Sequence, residues 1–224
     1  MQNMHITLPQ AEKIEKQLKI HGHTRLDPYY WLRNSESEKT LAYLNAENAY
    51  RESEMKHTEA LQKTLFEEIK GRIKEDDESV PYQKNGYWYY VRFEAGKEYP
   101  IYCRKKGSLS ADEEVLINAN LEAKNHSYYQ IGGLSISPNN EWLAYGVDTV
   151  SRRVYKVYFK HLPTGKVLDY HLDYTTGSCS WSAAGDYVFY TVKDAALRPH
   201  KVFRHKLNSP VTEDKEIYHE QDET

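Results

Sequence analysis

An internal repeat after residue 79 constrains the fold of this chain more than any other sequence feature. In each repeat, the end of one predicted strand leads into a turn rich in Asn, Gly or Pro, and the next strand then begins with an aromatic residue. The aligned stretches are residues 81–87, 136–142 and 181–187. The aromatic residues are Tyr87, Trp142 and Tyr187. The sequence therefore predicts three equivalent strands, one in each repeat.

The spacing continues beyond these strands. A third strand is predicted 14 or 15 residues after each aromatic residue, around Ile101, Val157 and Val202. A fourth strand is predicted at residues 115–117, 166–168 and 216–218. Four strands in about 50 residues are typical of a β-propeller blade. Unrelated hairpins would not share this spacing, so we predict three four-stranded antiparallel blades.

Three blades do not make a closed propeller. Propellers have about four to eight blades, and a broken ring exposes strand edges that native proteins avoid. We therefore expect the chain to be part of a longer protein, because the pattern stops incomplete at residues 221–224.

The pattern before residue 75 is helical. Leu61, Leu65, Ile69 and Ile73 recur every four residues, which predicts an amphipathic helix with one apolar stripe. Residues 35–38 fit a capping box at the start of an earlier helix, with Ser35 as the cap, and residues 11–20 predict a short helix. We expect two parts, a helical segment over residues 1–75 and the blades over residues 76–224.

Composition excludes several classes of function. The net charge of −3 gives no strongly basic face for nucleic acid. No stretch approaches the roughly 20 apolar residues that a membrane span needs. His21 and His23 lack the further ligands of a zinc site, so we interpret them as loop residues. We expect no metal, cofactor, nucleic acid or membrane partner.

The cysteines and the N-terminus bear on location. The first ten residues lack the basic and apolar regions of a secretory signal. Cys103 and Cys179 lie in separate predicted strands, which favours two reduced structural thiols. A cytoplasmic location follows as an expectation.

Several motifs resemble one family of enzymes. Residues 21–33, His-Gly-His-Thr-Arg-Leu-Asp-Pro-Tyr-Tyr-Trp-Leu-Arg, resemble the N-terminal motif of prolyl oligopeptidases, and their His-Gly and Tyr-Tyr-Trp-Leu-Arg elements resemble the oligopeptidase B branch. Further stretches resemble the second and third blades of that branch, at residues 126–139, 151–155, 198–205 and 218–220. The resemblance covers essentially the whole chain.

This resemblance implies a fold and an activity. The complete enzyme would have an α/β-hydrolase domain capped by a seven-bladed β-propeller, and the helical N-terminal segment would belong with that hydrolase domain. The present chain would then be mainly β, a partial propeller preceded by helices. The propeller would admit short peptides, and a Ser-Asp-His triad further along the protein would cleave them after Arg or Lys.

We find no catalytic motif within the chain itself. The nearest approach to the nucleophile elbow Gly-x-Ser-x-Gly is residues 133–137, which lack the second glycine, so we interpret Ser135 as structural. The basic run at residues 104–106 is interpreted as solvated. We therefore expect this chain alone to be inactive.

Arg152 and Arg153 are the candidate binding residues. They fall between the second and third strands of the second repeat, in a loop at the same end of the blade as the link to the next blade. The resemblance implies that this end faces the hydrolase domain. A guanidinium binds a carboxylate through two parallel hydrogen bonds. We expect at least one of the two to pair with an acidic group of that domain or of the peptide, and two solvated arginines remain the alternative.

Two other functions remain open. A prolyl-specific peptidase of the same family would carry similar motifs, because the specificity residues lie outside this chain. A propeller that only binds other proteins would show the same repeats. The helical leader argues against that second alternative, because such a scaffold has no need of a segment that docks on a hydrolase domain.

Overall fold

The computed structural model describes residues 7–222. Residues 1–6 and 223–224 therefore lie outside the described residues, and with them most of the stretch inspected for a secretory signal and the last two residues of the incomplete pattern. The chain divides into two compact units. The N-terminal unit extends to Ile73 and the C-terminal unit begins at Lys74.

A β-hairpin opens the N-terminal unit. Strands β1 (Lys16–Ile20) and β2 (His23–Asp27) pair in antiparallel fashion. The helix predicted over residues 11–20 is therefore wrong. His21 and Gly22 form the turn with φ values of 49° and 78°, and a two-residue turn of this left-handed kind joins two paired strands.

The N-cap of helix α1 (Glu38–Met55) lies two residues after the predicted cap, Ser35. Ser37 is the N-cap, and its Oγ accepts a hydrogen bond from the Thr40 N–H at 3.2 Å. Ser35 instead donates its hydroxyl proton to the Glu36 carboxylate. The capping box at Ser35 is wrong because the chain turns between Asn34 and Ser37, whose N–H donates to the Asn34 carbonyl oxygen.

Helix α2 (Glu59–Lys70) confirms the predicted amphipathic helix. Its apolar residues are 47–62% exposed, and they are Leu61, Leu65, Phe66 and Ile69. Ile73, the last residue of the predicted stripe, lies beyond the end of the helix at Lys70 and is 63% exposed. Apolar stripes of this kind normally pack against another surface.

The C-terminal unit contains two antiparallel sheets in which strands follow the chain order. The first sheet consists of β3 (Tyr82–Lys84), β4 (Tyr87–Arg92), β5 (Ile101–Lys106) and β6 (Glu113–Asn118). Helix α3 (Ala119–Glu122) follows it. The second sheet consists of β7 (Gln130–Ile136), β8 (Trp142–Asp148), β9 (Tyr155–His161), β10 (Leu172–Trp181), β11 (Tyr187–Lys193), β12 (Pro199–Lys206) and β13 (Lys215–His219).

The predicted equivalence of the three aromatic strands is confirmed. β4, β8 and β11 begin at the three aromatic residues, and each lies between the preceding and the following strand of its repeat. The pairing register also repeats. A tyrosine three residues into each strand lies opposite a residue of the third strand, in the pairs Tyr90–Cys103, Tyr145–Tyr158 and Tyr190–Phe203.

The second repeat departs from the predicted four strands. Residues 166–168 make only an isolated bridge, between Lys160 and Val167. Instead the ten-residue strand β10 pairs with β9 at its start, where Leu172 lies opposite Val157, and with β11 at its end. Positive φ values at Tyr174 and Gly177 allow β10 to change partner. The second and third repeats therefore share one seven-stranded sheet.

Strand β8 separates two hydrophobic cores. Its side chains alternate between the two faces of the sheet. Leu143, Tyr145 and Val147 pack into one core with residues of the first repeat, including Tyr89. Ala144 packs into the other core with residues of the third repeat. The second core contains Val157, Phe159, Leu172, Val188 and Tyr190.

Glycines bring the first strands of the second and third repeats close together. Gly133 of β7 and Gly146 of β8 lie opposite each other, and the main chain of β10 at Gly177 lies over both. A Cβ atom on Gly146 would be 2.1 Å from the Gly177 carbonyl oxygen. No side chain fits there without moving backbone, so glycine is required at this position.

We predict that Gly146→Ala destabilises the whole protein by about 3 kcal/mol or more, because the new methyl group must displace backbone rather than a flexible side chain. Calorimetric unfolding measures the effect. The control is Gly96→Ala, where a Cβ meets nothing within 4 Å and only the positive φ of 71° is strained, at about 1–2 kcal/mol. If both variants lose the same free energy of unfolding, the close contact at Gly146 is contradicted.

Candidate functional site

The loop between β8 and β9 is held by a buried carboxylate. Asp148 is fully buried, and its two carboxylate oxygens accept hydrogen bonds from the Val150 N–H at 2.8 Å and the Arg153 N–H at 2.7 Å. Ser151 and Arg153 adopt left-handed φ values of 58° and 55°. A buried charge is tolerated when backbone N–H groups satisfy it, so Asp148 fixes the conformation of the loop.

Lys193 supports this loop from the neighbouring repeat. It is the last residue of β11, and its Nζ donates to the Arg153 carbonyl oxygen. The ammonium also lies 5.7 Å from the centre of the Tyr155 ring. The loop and the end of β11 enclose a cleft of about 450 Å³. Its lining residues are Ser151, Arg152, Arg153, Lys193, Ala196 and Leu197.

The guanidinium groups of Arg152 and Arg153 are available for binding. Both residues are exposed. Within residues 7–222 neither guanidinium has an ion pair or a hydrogen bond. The cleft thus presents three cations and no carboxylate. It can bind an anion. The Ser151 hydroxyl lines it, but none of the lining residues is a histidine or a carboxylate that could activate this hydroxyl as a nucleophile.

The loop between β8 and β9 lies at the end of the sheet that the alternating strand direction predicts. A neighbouring cleft is lined by Thr149 and Val150 from the loop and by Asp173 and Tyr174 from the start of β10. The last two lie where β10 passes from its pairing with β9 to its pairing with β11, which is the link between the second and third repeats. The arginine loop and this link therefore lie at the same end of the sheet.

The remaining predicted positions have structural environments. Ser135 lies in β7 opposite Ala144, and its carbonyl oxygen accepts a hydrogen bond from Trp181 Nε1 at 3.0 Å. His21 and His23 are exposed at the hairpin of the N-terminal unit. In the described part of the chain, no group of three or more His, Cys, Asp or Glu residues could hold a metal ion.

The prediction that Arg104 is solvated is wrong, because strand alternation turns its side chain toward the second repeat. Its side chain is 3% exposed. Nε and Nη2 each donate to the Glu114 carboxylate at 2.8 Å, and Nη1 donates to the Asn140 carbonyl oxygen at 3.1 Å. The guanidinium also lies 4.1 Å from the centre of the Tyr87 ring. Arg104 therefore links the first repeat to the second.

The two cysteines are free and unreactive by environment. Cys103 is 1% exposed, and Cys179 lies in β10. Burial raises the pKa of each thiol to about 12. Little thiolate forms near neutral pH, and the thiolate is the reactive species.

Sequence reasoning missed Asp148 and Lys193 as parts of this site. Each lies six residues after the aromatic residue that begins its strand, Trp142 or Tyr187. The repeat alignment therefore contained a signal that the two positions are equivalent. It did not contain their shared partner: Asp148 accepts from the Arg153 N–H and Lys193 donates to the Arg153 carbonyl oxygen, which depends on how neighbouring repeats pack.

Repeated antiparallel strands of this register, preceded by a separate helical unit, define the chain as part of a β-propeller protein. Residues 9–224 match the family described as prolyl oligopeptidase, N-terminal beta-propeller domain. The chain therefore belongs to the prolyl oligopeptidase family, and its resemblance to the oligopeptidase B branch is confirmed by the relatives that follow.

The relatives cover nearly all of this chain. It is 38% identical to dipeptidyl aminopeptidase BI of Pseudoxanthomonas mexicana, with 91% of this chain and 31% of the relative aligned. It is 33% identical to protease 2 of Moraxella lacunata, with 97% of this chain and 32% of that relative aligned. The structure of oligopeptidase B from Leishmania major matches with a TM-score of 0.90 at 28% identity, covering 97% of this chain and 33% of that one.

The chain thus spans about a third of the length of these relatives. Within residues 7–222, no helix has the length and apolar character needed to cross a membrane.

We predict that Asp148→Asn loosens the arginine loop. The amide retains one acceptor oxygen, so one of the two backbone N–H groups loses its partner at a cost of about 1–3 kcal/mol. Hydrogen exchange at Val150 and Arg153 should become faster. Asp112→Asn, at an exposed turn, serves as the control and should leave exchange unchanged. Unchanged exchange in the Asp148 variant would show that the carboxylate does not hold the loop.

Proposed function

We propose that the whole protein is a serine peptidase that hydrolyses short peptides after Arg or Lys. In this proposal an α/β-hydrolase domain outside this chain carries the Ser-Asp-His triad. Residues 1–75 belong with that domain, and residues 76–224 form the first three of seven propeller blades. The propeller restricts substrates by size. The cytoplasm is the proposed compartment, since both cysteines are unpaired thiols.

One observation supports this proposal above the others. A single oligopeptidase B structure matches this chain over 97% of its length, and that match includes both the helical unit and the sheets. A propeller that only binds other proteins would not need the helical unit. The exposed apolar stripe of α2 also fits a segment that docks on a further domain.

Dipeptidyl aminopeptidase activity is the second candidate. The relative with 38% identity bears that name. Such an enzyme needs the free amino group of its substrate, whereas an endopeptidase accepts a blocked N-terminus. A prolyl-specific enzyme is a third alternative, and the residue before the cleaved bond distinguishes it.

We predict that the purified whole protein cleaves N-terminally blocked peptides after Arg or Lys with a kcat/KM at least about 100-fold above that for Pro, because a charged pocket leaves polar groups unpaired when an apolar residue enters. Measurements use internally quenched peptides with Arg, Lys or Pro before the cleaved bond. A serine-directed inhibitor should abolish the activity.

The controls separate the alternatives. The 224-residue chain alone should be inactive, because it lacks the nucleophile, base and oxyanion site. A folded protein that carries the same Arg sequence should resist cleavage if the propeller restricts size. Cleavage confined to peptides with free N-termini would favour the dipeptidyl aminopeptidase, and no cleavage of any peptide would refute the peptidase.

We also propose a role for the arginine loop. At least one of Arg152 and Arg153 pairs with a carboxylate of the hydrolase domain or of the incoming peptide. Two features support this role. Neither guanidinium has a partner within residues 7–222. Asp148 and Lys193 fix the backbone of the loop through hydrogen bonds to Arg153. A rigid loop loses little conformational entropy when it binds.

We predict that Arg152→Ala or Arg153→Ala in the whole protein lowers kcat/KM for peptides and weakens its dependence on salt. Loss of one desolvated pair corresponds to about 2–5 kcal/mol, whereas a solvated arginine contributes little. Turnover is measured across a series of salt concentrations. Lys166→Ala, at an exposed turn, is the control. If both arginine variants match this control, the two residues are only surface.

A further inference from the structure

One pair of positions recurs on the same face of each repeat. It consists of the aromatic residue that begins the second strand and a residue of the third strand. The pairs are Tyr87 with Arg104, Trp142 with Phe159, and Tyr187 with Arg204. The third-strand residues are equivalent, because they lie opposite Tyr89, Ala144 and Phe189 respectively.

In the first two repeats this position contacts the following repeat. Arg104 donates to the Asn140 carbonyl oxygen, in the turn before β8. Phe159 is fully buried and contacts the Trp181 ring edge-on, with ring centres 6.2 Å apart. Asn140 lies in the first turn of the second repeat, and Trp181 is the last residue of the first strand of the third repeat. The third-strand position therefore faces the first strand and first turn of the repeat that follows it.

Arg204 has the same placement as Arg104 but lacks its partners. Its guanidinium lies 4.5 Å from the centre of the Tyr187 ring, as Arg104 lies over its own aromatic residue. Opposite Arg204, however, β13 carries Lys215, where the first repeat has Glu114. Arg204 Nε is buried without a hydrogen-bond partner among the described residues. A buried donor of this kind is expected to have an acceptor in the complete protein.

We propose that Arg204 joins the third repeat to the fourth. Its guanidinium donates a hydrogen bond to a main-chain carbonyl oxygen in the first turn of the repeat that follows this chain. The inference rests on the proposed function, in which the propeller continues beyond this chain. Phe189 and Val202, half-buried on the same face, are covered by the same repeat. A carbonyl is the acceptor because Arg104 uses one in the equivalent contact.

The test compares hydrogen exchange in the whole protein with that in three variants. Arg204→Ala should speed exchange at least about tenfold in the first turn of the following repeat, as expected for loss of a hydrogen bond from a charged donor. It should leave residues 137–141 unchanged. Arg104→Ala is the matched comparison and should speed exchange at residues 137–141 instead. Lys166→Ala, an exposed cation, should change neither segment.

A second variant keeps the test informative if Arg204→Ala does not fold. Arg204→Lys retains the charge but loses the planar fork, so exchange should increase by a smaller factor. If the Arg204 variants exchange in the first turn of the following repeat at the same rate as the Lys166 variant, the proposal is overturned. A native dimer that Arg204→Ala converts to monomer would also overturn it, because a second copy would then be the partner. Peptide hydrolysis by the wild type is measured separately, so failure of the proposed function is recognised independently of the exchange result.

Discussion

The contact between Gly146 and Gly177 is the constraint on which the rest of the C-terminal unit depends. The Gly177 carbonyl oxygen occupies the space that a side chain on Gly146 would need. Backbones can approach this closely only because Gly146 lacks a Cβ atom, and a Cβ atom on Gly177 would meet the Tyr155 ring at 2.7 Å. Further from this contact, larger residues such as Phe159 of β9 and Trp181 at the end of β10 fill the space between the repeats. The two repeats can therefore pack closely at one end of the strands and through aromatic side chains at the other.

Two buried polar side chains of the second sheet, Asp148 and His205, have hydrogen-bond partners. Asp148 is satisfied by two backbone N–H groups. The buried His205 ring lies between the Asp214 carboxylate, at 2.6 Å, and the Tyr170 hydroxyl, at 3.0 Å. Each pairing offsets the cost of removing a charged or polar group from water. Because Asp148 also shapes the adjacent loop, this pairing links the packing of the sheet to the cations exposed at its surface.

The sequence predicted those elements in which a local pattern and the tertiary packing agree. The strands beginning at Tyr87, Trp142 and Tyr187 are correct, because aromatic residues after a turn favour a strand in any of the three repeats. The helix predicted over residues 11–20 failed because its few apolar residues fit a strand equally well, and the turn at Gly22 decided between them. The fourth strand of the second repeat failed because β10 pairs with β9 in its place.

The sequence by itself determined the repeat, the spacing of its aromatic and third strands, the amphipathic helix and the family, because spacing and motif order are properties of the chain alone. Only the tertiary structure decided which charged residues are buried. Arg104 and Lys106 belong to the same basic run, yet the first is buried and paired while the second is exposed. The same holds for the contact of Lys193 with the arginine loop, which joins residues 40 positions apart. Such contacts depend on the packing of one repeat against the next, and no local pattern encodes that packing.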